Sequence, residues 1–195
     1  MAGAWRDFRA AVAADHQAIH ATADKYGGAT QAGGLFGDMV QKVGFQLLVA
    51  YRLMRFFDRA GAPLLARVTC RVIRHLYGAD IHWKADLEPG VLVVHGMGLC
   101  INAAVRVGAG CILFQNVTLG EGIDPVTRDV GAPCLEPAVH VGPGATLVGP
   151  ITIGSGSKIM AGCVVTCSVP PRSLVEAPSP QIRPREKAGA AGGPS

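Results

Sequence analysis

A chain of 195 residues with 16% charged residues, 26 glycines and a formal net charge of +4 has room for one main domain and an appendage. That small positive excess suits an anionic small molecule and gives no argument for nucleic acid. Six cysteines without an apolar leader predict a cytoplasmic chain with free thiols, and Cys163 and Cys167 have no partner pair at zinc-binding spacing, so no metal is expected.

Residues 1–26 predict a helix, with Trp5, Phe8, Val12 and Ile19 near helical spacing. The stretch GGATQAGG, ending at Gly34, reads as a linker. From Phe36 to Tyr77 the pattern is helical again. Phe45, Leu48, Val49, Leu53, Phe56 and Phe57 make one apolar face. Ala60-Gly61-Ala62-Pro63 breaks the helix, and Leu64, Leu65, Val68, Val72, Ile73 and Leu76 make a second face before Gly78 stops it. Arg52, Arg55, Arg59, Arg67, Arg71 and Arg74 read as the solvated side of packed helices, not as a membrane-binding surface. No apolar run reaches the length of a membrane span. The region 1–78 is therefore expected to cap the first repeat of the next region.

From Ile81 the pattern changes period. Ile81, Leu87, Val93, Ile101, Val107, Leu113, Leu119, Val141, Leu147, Ile153, Ile159 and Val165 are branched aliphatics, most of them six residues apart. Small or β-branched residues follow four positions later at Val105, Cys111, Val117, Ala145, Ile151, Ser157 and Cys163. A period of six fits neither a helix nor a hairpin strand. It fits a short strand and tight turn, stacked so that like side chains form columns. The expected fold is mainly β: a parallel β-helix over residues 79–171, roughly four coils at about eighteen residues each, behind the N-terminal helical region. Residues 172–195, rich in Pro, Gly, Ala and charge, read as a disordered tail.

The repeat is interrupted twice. Between Val93 and Ile101 the step is eight residues and holds His95-Gly96-Met97-Gly98. Two extra residues push a short segment off the coil surface and display the histidine. After Leu119 the segment from Gly120 to Pro133 has no hexad, and the repeat resumes clearly at Val141. An extruded loop is therefore expected over 121–138, and long loops on rigid scaffolds usually bind or cover something.

The residues Asp80-Ile81-His82, Val94-His95-Gly96-Met97-Gly98, Asn116-Val117-Thr118-Leu119-Gly120, Val141-Gly142-Pro143-Gly144-Ala145 and Gly156-Ser157-Lys158-Ile159-Met160-Ala161-Gly162, with the loop between them, resemble the serine acetyltransferase branch of the hexapeptide-repeat acyltransferases. The resemblance implies left-handed crossovers, against the usual right-handed rule. It also implies a homotrimer or a dimer of trimers, with active sites in clefts between neighbouring solenoids. The implied reaction is acetyl transfer from acetyl-CoA to a hydroxyl. His95 is then the general base, and Asp80, fifteen residues earlier, is the carboxylate that orients it. Gly120, Pro143, Lys158 and Ala161 fall where the family binds CoA. Two candidates remain for the oxyanion donor, the Gly96–Gly98 turn and the Gly120 turn. His82, beside Asp80, is the competing histidine and reads as a wall residue of a regular hexad.

The sequence departs from that family at defined places. Val94 stands where an Asp usually precedes the catalytic His, and Gly131 and Ala132 stand where the loop usually carries an Arg-His pair. Asp124, Arg128 and Asp129 in the same loop are the candidates to replace them in binding the acceptor. The chain ends in Gly-Gly-Pro-Ser and not in the Ile with which such enzymes dock into cysteine synthase, so that partner is not expected. L-Serine is the leading acceptor and a sugar hydroxyl of a polysaccharide precursor the second. A non-catalytic scaffold is the third reading, opposed by the Asp80–His95 spacing.

Overall fold

A branched aliphatic at every sixth position places one buried side chain in each very short strand. In the computed structural model, which describes residues 2–23, 34–124, 126–179, 181 and 183, these strands stack into a coil with three faces. The first face holds Asp80–Ile81, Cys100–Ile101, Thr118–Gly120, Thr146–Val148 and Val164–Val165. Asp86–Leu87, Arg106–Val107, Cys134–Leu135 and Thr152–Ile153 form the second. Leu92–Val93, Ile112–Leu113, His140–Val141, Lys158–Ile159 and Leu174–Val175 form the third. Every pairing within these faces is parallel and in register, aliphatic over aliphatic: Ile81 on Ile101, Leu87 on Val107, Val93 on Leu113.

The core is the inside of this coil. Ile101, Leu113, Leu119, Leu135, Leu147 and Ile153 are essentially inaccessible, and the small column of Val105, Cys111, Val117, Ala145 and Ser157 is buried beside them. Ser157 tolerates that position because its hydroxyl donates to Pro170 O at 2.8 Å and accepts from the Ser173 N–H at 3.1 Å.

Two boundaries differ from those expected. The coil resumes at Cys134–Leu135, not after residue 138, because Leu135 is already in phase six residues before Val141. It also continues past residue 171, with Leu174–Val175 pairing on Lys158–Ile159. The extruded segment is correspondingly shorter and carries its own antiparallel pair, Gly122–Ile123 with Val130–Gly131.

Among the described residues four helices precede the coil: α1 (Ala2–Ala23), α2 (Leu35–Gln41), α3 (Val43–Arg59) and α4 (Pro63–Tyr77). The expected linker lies within residues 24–33, outside the described residues, apart from Gly34. Helix α4 starts with Pro63 at its first turn and stops at Gly78, which adopts φ +60°. Among the described residues no helix is long and apolar enough to cross a membrane.

Helix α3 closes the open end of the coil. The lowest strand of the second face presents backbone groups with no strand below them, and an unpaired buried polar group is costly. Tyr51 donates its hydroxyl to Ala85 O at 2.6 Å and accepts from the Leu87 N–H at 3.1 Å. Arg52 donates to Leu87 O and, at 2.8 Å, to Glu88 O. Arg52 was expected on a solvated face; it is buried, because these carbonyls and Asp15 on α1 satisfy its guanidinium. Asp15 also accepts from the Gly90 N–H at 2.8 Å.

The second apolar face differs as well. Helix α4 buries Ala66, Cys70 and Ile73, while Leu64, Leu65, Val68, Val72 and Leu76 remain exposed in the single chain. The coil accepts the narrow side of α4, where small side chains allow close approach, and leaves the broader stripe uncovered.

Candidate active site

The eight-residue step between Val93 and Ile101 forms a turn at the edge where the third face passes into the first. His95, Gly96 and Gly98 all take positive φ, at 64°, 75° and 69°. A Cβ on Gly96 would collide with Leu47 Cδ1 of α3, and one on Gly98 with Asn116 Oδ1 on the next coil. The two glycines therefore let the turn press against a helix on one side and a coil on the other. Between them and the strand, His95 is left exposed.

That edge is a ladder of turns. The Gly98 N–H donates to Gly78 O at 3.1 Å, the Asn116 N–H to Met97 O at 2.8 Å, the Gly144 N–H to Gln115 O at 3.0 Å and the Gly162 N–H to Pro143 O at 2.9 Å. His95, Pro143 and Ala161 thus lie on one edge, with the turn of Gln115 and Asn116 in between. With strands about 4.8 Å apart, the three coil steps from the His95 turn to the Ala161 turn span about 14 Å. Ala161 is exposed, and Lys158 is exposed on the strand leading into its turn. Gln115 was not read from the sequence as a site residue. Its Oε1 is buried with no hydrogen-bond partner among the described residues, and it sits in this ladder.

Asp80 begins the first face one coil below. Its N–H donates to Leu99 O at 2.8 Å and it pairs in register with Cys100, so it lies beneath the start of the strand that follows the His95 turn. The carboxylate, however, is engaged by Arg74 of α4 at 2.6 Å. The fifteen-residue spacing therefore brings the backbones of Asp80 and His95 to adjacent coils, while the Asp80 side chain pairs with an arginine that the spacing could not reveal. His82 stacks on Trp83 with ring centroids 4.1 Å apart, and its Nδ1 accepts the Lys84 N–H at 3.0 Å. Burial and the Lys84 charge lower its pKa despite the opposing field of Asp80. Those contacts fit the wall role read from the sequence.

Gly120 and the extruded segment belong to the opposite edge of the first face, where it passes into the second. Gly120 ends its strand and accepts the Gly149 N–H at 3.3 Å. In the loop, Asp124 Oδ1 accepts the N–H groups of Val126 and Thr127, both at 2.8 Å, and the Thr127 and Val126 N–H groups hold the carboxyl below its ordinary pKa. Arg128 takes φ 65° at the tip, and both Arg128 and Asp129 are exposed. Within one chain, then, His95, Pro143 and Ala161 share an edge, and Gly120, Asp124, Arg128 and Asp129 leave from the other.

No protein-family model matches the chain. Over 133 residues it is 34% identical to the serine acetyltransferase of Bacillus pumilus, a stretch covering 68% of this chain and 60% of that protein. The serine acetyltransferase of Neisseria gonorrhoeae, solved in complex with serine, superposes with a TM-score of 0.76 at 27% identity, over 90% of this chain and 69% of that one. This chain is a relative of the serine acetyltransferases. A third similar protein, the Brucella abortus serine acetyltransferase solved with coenzyme A, gives a TM-score of 0.71 at 28% identity, over 86% of this chain and 64% of that one. Across eight curated serine acetyltransferases the chain spans between 24% and 60% of the relative's length.

Proposed function

We propose that the chain is an acetyl-CoA-dependent O-acetyltransferase acting on L-serine, built as a left-handed parallel β-helix. The observation that carries this reading is the edge itself. It displays an exposed histidine on a glycine-bounded turn, with the small Ala161 three coils above it and a lysine beside that. An extended thioester arm lying along such an edge would bring its carbonyl to His95 and its phosphates toward Lys158.

The chemistry follows from the groups present. The serine hydroxyl oxygen attacks the thioester carbonyl as His95 takes the hydroxyl proton, since a neutral imidazole is a suitable base near neutral pH. The tetrahedral intermediate collapses by breaking the C–S bond, and the CoA thiolate leaves with the proton from the imidazolium. Asp80, freed from Arg74, would hold the imidazole tautomer and offset its charge during that interval. The loop residues Arg128 and Asp129 lie at the far edge of the first face, so they support a homotrimer in which one chain's loop reaches its neighbour's His95 edge.

The test is release of CoA thiol from acetyl-CoA by the purified chain. Release that depends on L-serine and disappears in His95→Ala supports the proposal. A second reading rests on Gly131 and Ala132, which occupy the positions of the family's Arg-His pair and offer no charge to an α-amino acid. Release with a sugar acceptor and none with serine would establish that reading instead.

A further inference from the structure

His16 and His20 lie one turn apart on α1, and Asp38 lies on α2. His16 Nε2 is 3.0 Å from Asp38 Oδ2, His20 Nε2 is 3.1 Å from the same oxygen, and the two ring nitrogens are 3.1 Å apart. The three ligand-type atoms close a triangle. The Asp38 side chain is 2% exposed, and His16 and His20 are 19% and 30% exposed. The cluster shares no residue with the edge that carries His95, and the acyl-transfer reading makes no use of it.

Protons alone satisfy this triangle poorly. If both imidazoles donate Nε2–H to Oδ2, the two N–H groups crowd each other at that nitrogen separation. If one ring nitrogen accepts from the other, the accepting imidazole has no Nε2 proton left for the carboxylate. A single cation among the three atoms meets all three lone pairs together. The other carboxylate oxygen is already held, with Lys42 Nζ 3.0 Å from Oδ1. That contact turns Oδ2 toward the histidines, the kind of outer support that ligating carboxylates usually have.

We propose that His16, His20 and Asp38 form a binding site for a divalent transition-metal ion, zinc being the ion their chemistry fits best. Two imidazole nitrogens and a carboxylate oxygen suit zinc and exclude the oxygen-seeking calcium and magnesium. Zinc bonds of about 2.0–2.1 Å in tetrahedral geometry place ligand atoms about 3.3 Å apart. The triangle needs to open by only a few tenths of an ångström to accept the ion. The fourth position lies on the solvent side, where His20 is most exposed, and takes water. The ion ties α1 to α2. His16 adjoins Asp15, which anchors α1 to α3 and to the first coil, so the site stabilises the helical cap of the coil. The sequence shows His-x-x-x-His at 16 and 20, but the third ligand is eighteen residues further on and in another helix.

The experiment titrates the metal-stripped full chain with Zn²⁺ by calorimetry and with Co²⁺ by absorption spectroscopy. One equivalent per chain is expected, with visible cobalt bands and no thiolate-to-cobalt charge transfer in the near ultraviolet. In His20→Ala the equivalent is lost, and Zn²⁺ no longer raises the melting temperature as it does in the wild type. His20→Gln serves as the second variant should the alanine perturb α1, and circular dichroism checks the fold of both. Unchanged stoichiometry in a folded His20 variant overturns the proposal. So does a thiolate charge-transfer band, which would place the ion on cysteine, or no binding at micromolar zinc.

Discussion

The carboxylate of Asp80, two residues past the Gly78 whose carbonyl supports the turn that displays His95, is bound by Arg74 at 2.6 Å. Both partners of this pair are roughly half exposed, so it adds little to stability. It holds the carboxylate in place at the start of the first face. Catalysis by a His95–Asp80 pair requires the carboxylate to turn from one cation to another as the imidazole becomes charged.

That relationship separates three substitutions. His95→Ala is expected to lower kcat by about 10²–10⁴-fold with acetyl-CoA binding retained. Asp80→Asn is expected to cost less unless the wrong tautomer is fixed. Arg74→Ala releases the carboxylate and is expected to leave kcat no lower than wild type. A fall in Arg74→Ala as large as that in Asp80→Asn would instead make the arginine part of the reacting site. Steady-state kinetics with a pH–rate profile for each variant distinguishes the outcomes.

The ladder of turns above His95 predicts where the cofactor arm is blocked. Ala161 is exposed on its turn, so Ala161→Trp adds bulk outside the core and leaves the fold intact by circular dichroism. The KM for acetyl-CoA is expected to rise at least tenfold, about 1.4 kcal/mol of lost binding, with the KM for serine little changed. An unchanged acetyl-CoA KM in the folded variant removes this edge as the CoA site.

The loop offers a sharper distinction than its sequence suggested. Asp124 already accepts two backbone N–H groups, a role Asn can fill without charge. Asp124→Asn is therefore expected to leave the serine KM near wild type, whereas Asp124→Ala loosens the tip and raises it. Arg128→Ala is expected to raise the serine KM if its guanidinium meets the acceptor carboxylate. Should Asp124→Asn alone abolish serine binding, the charge of Asp124 and not its turn is what the acceptor reads.

Thiol chemistry tests the interior of the coil. Burial pushes the Cys111 thiol up to about 11, and its Sγ donates to Glu136 O at 3.1 Å. The Cys167 side chain is exposed. Alkylation at pH 8 is expected to modify Cys167 readily and to leave Cys111 intact until the coil is unfolded, read by peptide mass mapping. Modification of Cys111 in the native protein would contradict the packing of that column.

The six-residue period made the coil legible because each aliphatic step corresponds to one buried side chain, and the parallel register carries that column upward. It was less legible where it resumes after the loop and where it ends. Leu135 was hidden among Pro133, Cys134 and Glu136, and Leu174 and Val175 lay in a polar, proline-rich context. Helix α4 shows another limit: periodicity locates an apolar stripe, but the coil selected the Ala66–Cys70–Ile73 side by fit. For the site, the displaced histidine was visible as a break in phase. The Arg74–Asp80 pair was not, because it joins a helix surface to a strand start through side-chain reach alone. The same holds for Arg52, whose burial depends on carbonyls left open at the foot of the coil.

That burial leads to the strongest expected effect on stability. Arg52 Nε and Nη2 meet Asp15 at 2.8 and 3.0 Å, and Asp15 also accepts the Gly90 N–H. Both side chains are nearly inaccessible, so solvent screening does little to weaken the pair. Removing one partner leaves a buried charge unpaired, which typically costs about 3–5 kcal/mol. Asp15→Ala is expected to lose that much in urea unfolding, because it strands the guanidinium and an N–H of the first coil together. Asp15→Asn keeps an acceptor for Gly90 and is expected to lose less. In the double variant Asp15→Leu, Arg52→Met the charges leave together and α1 still packs on α3, so its stability is expected to exceed that of Asp15→Ala. Tyr51 continues to satisfy Ala85 and Leu87 in all three, so the lowest strand keeps its other cap. A loss below about 1 kcal/mol in Asp15→Ala, the range of an exposed pair, would show that α1 does not seal the end of the coil in solution.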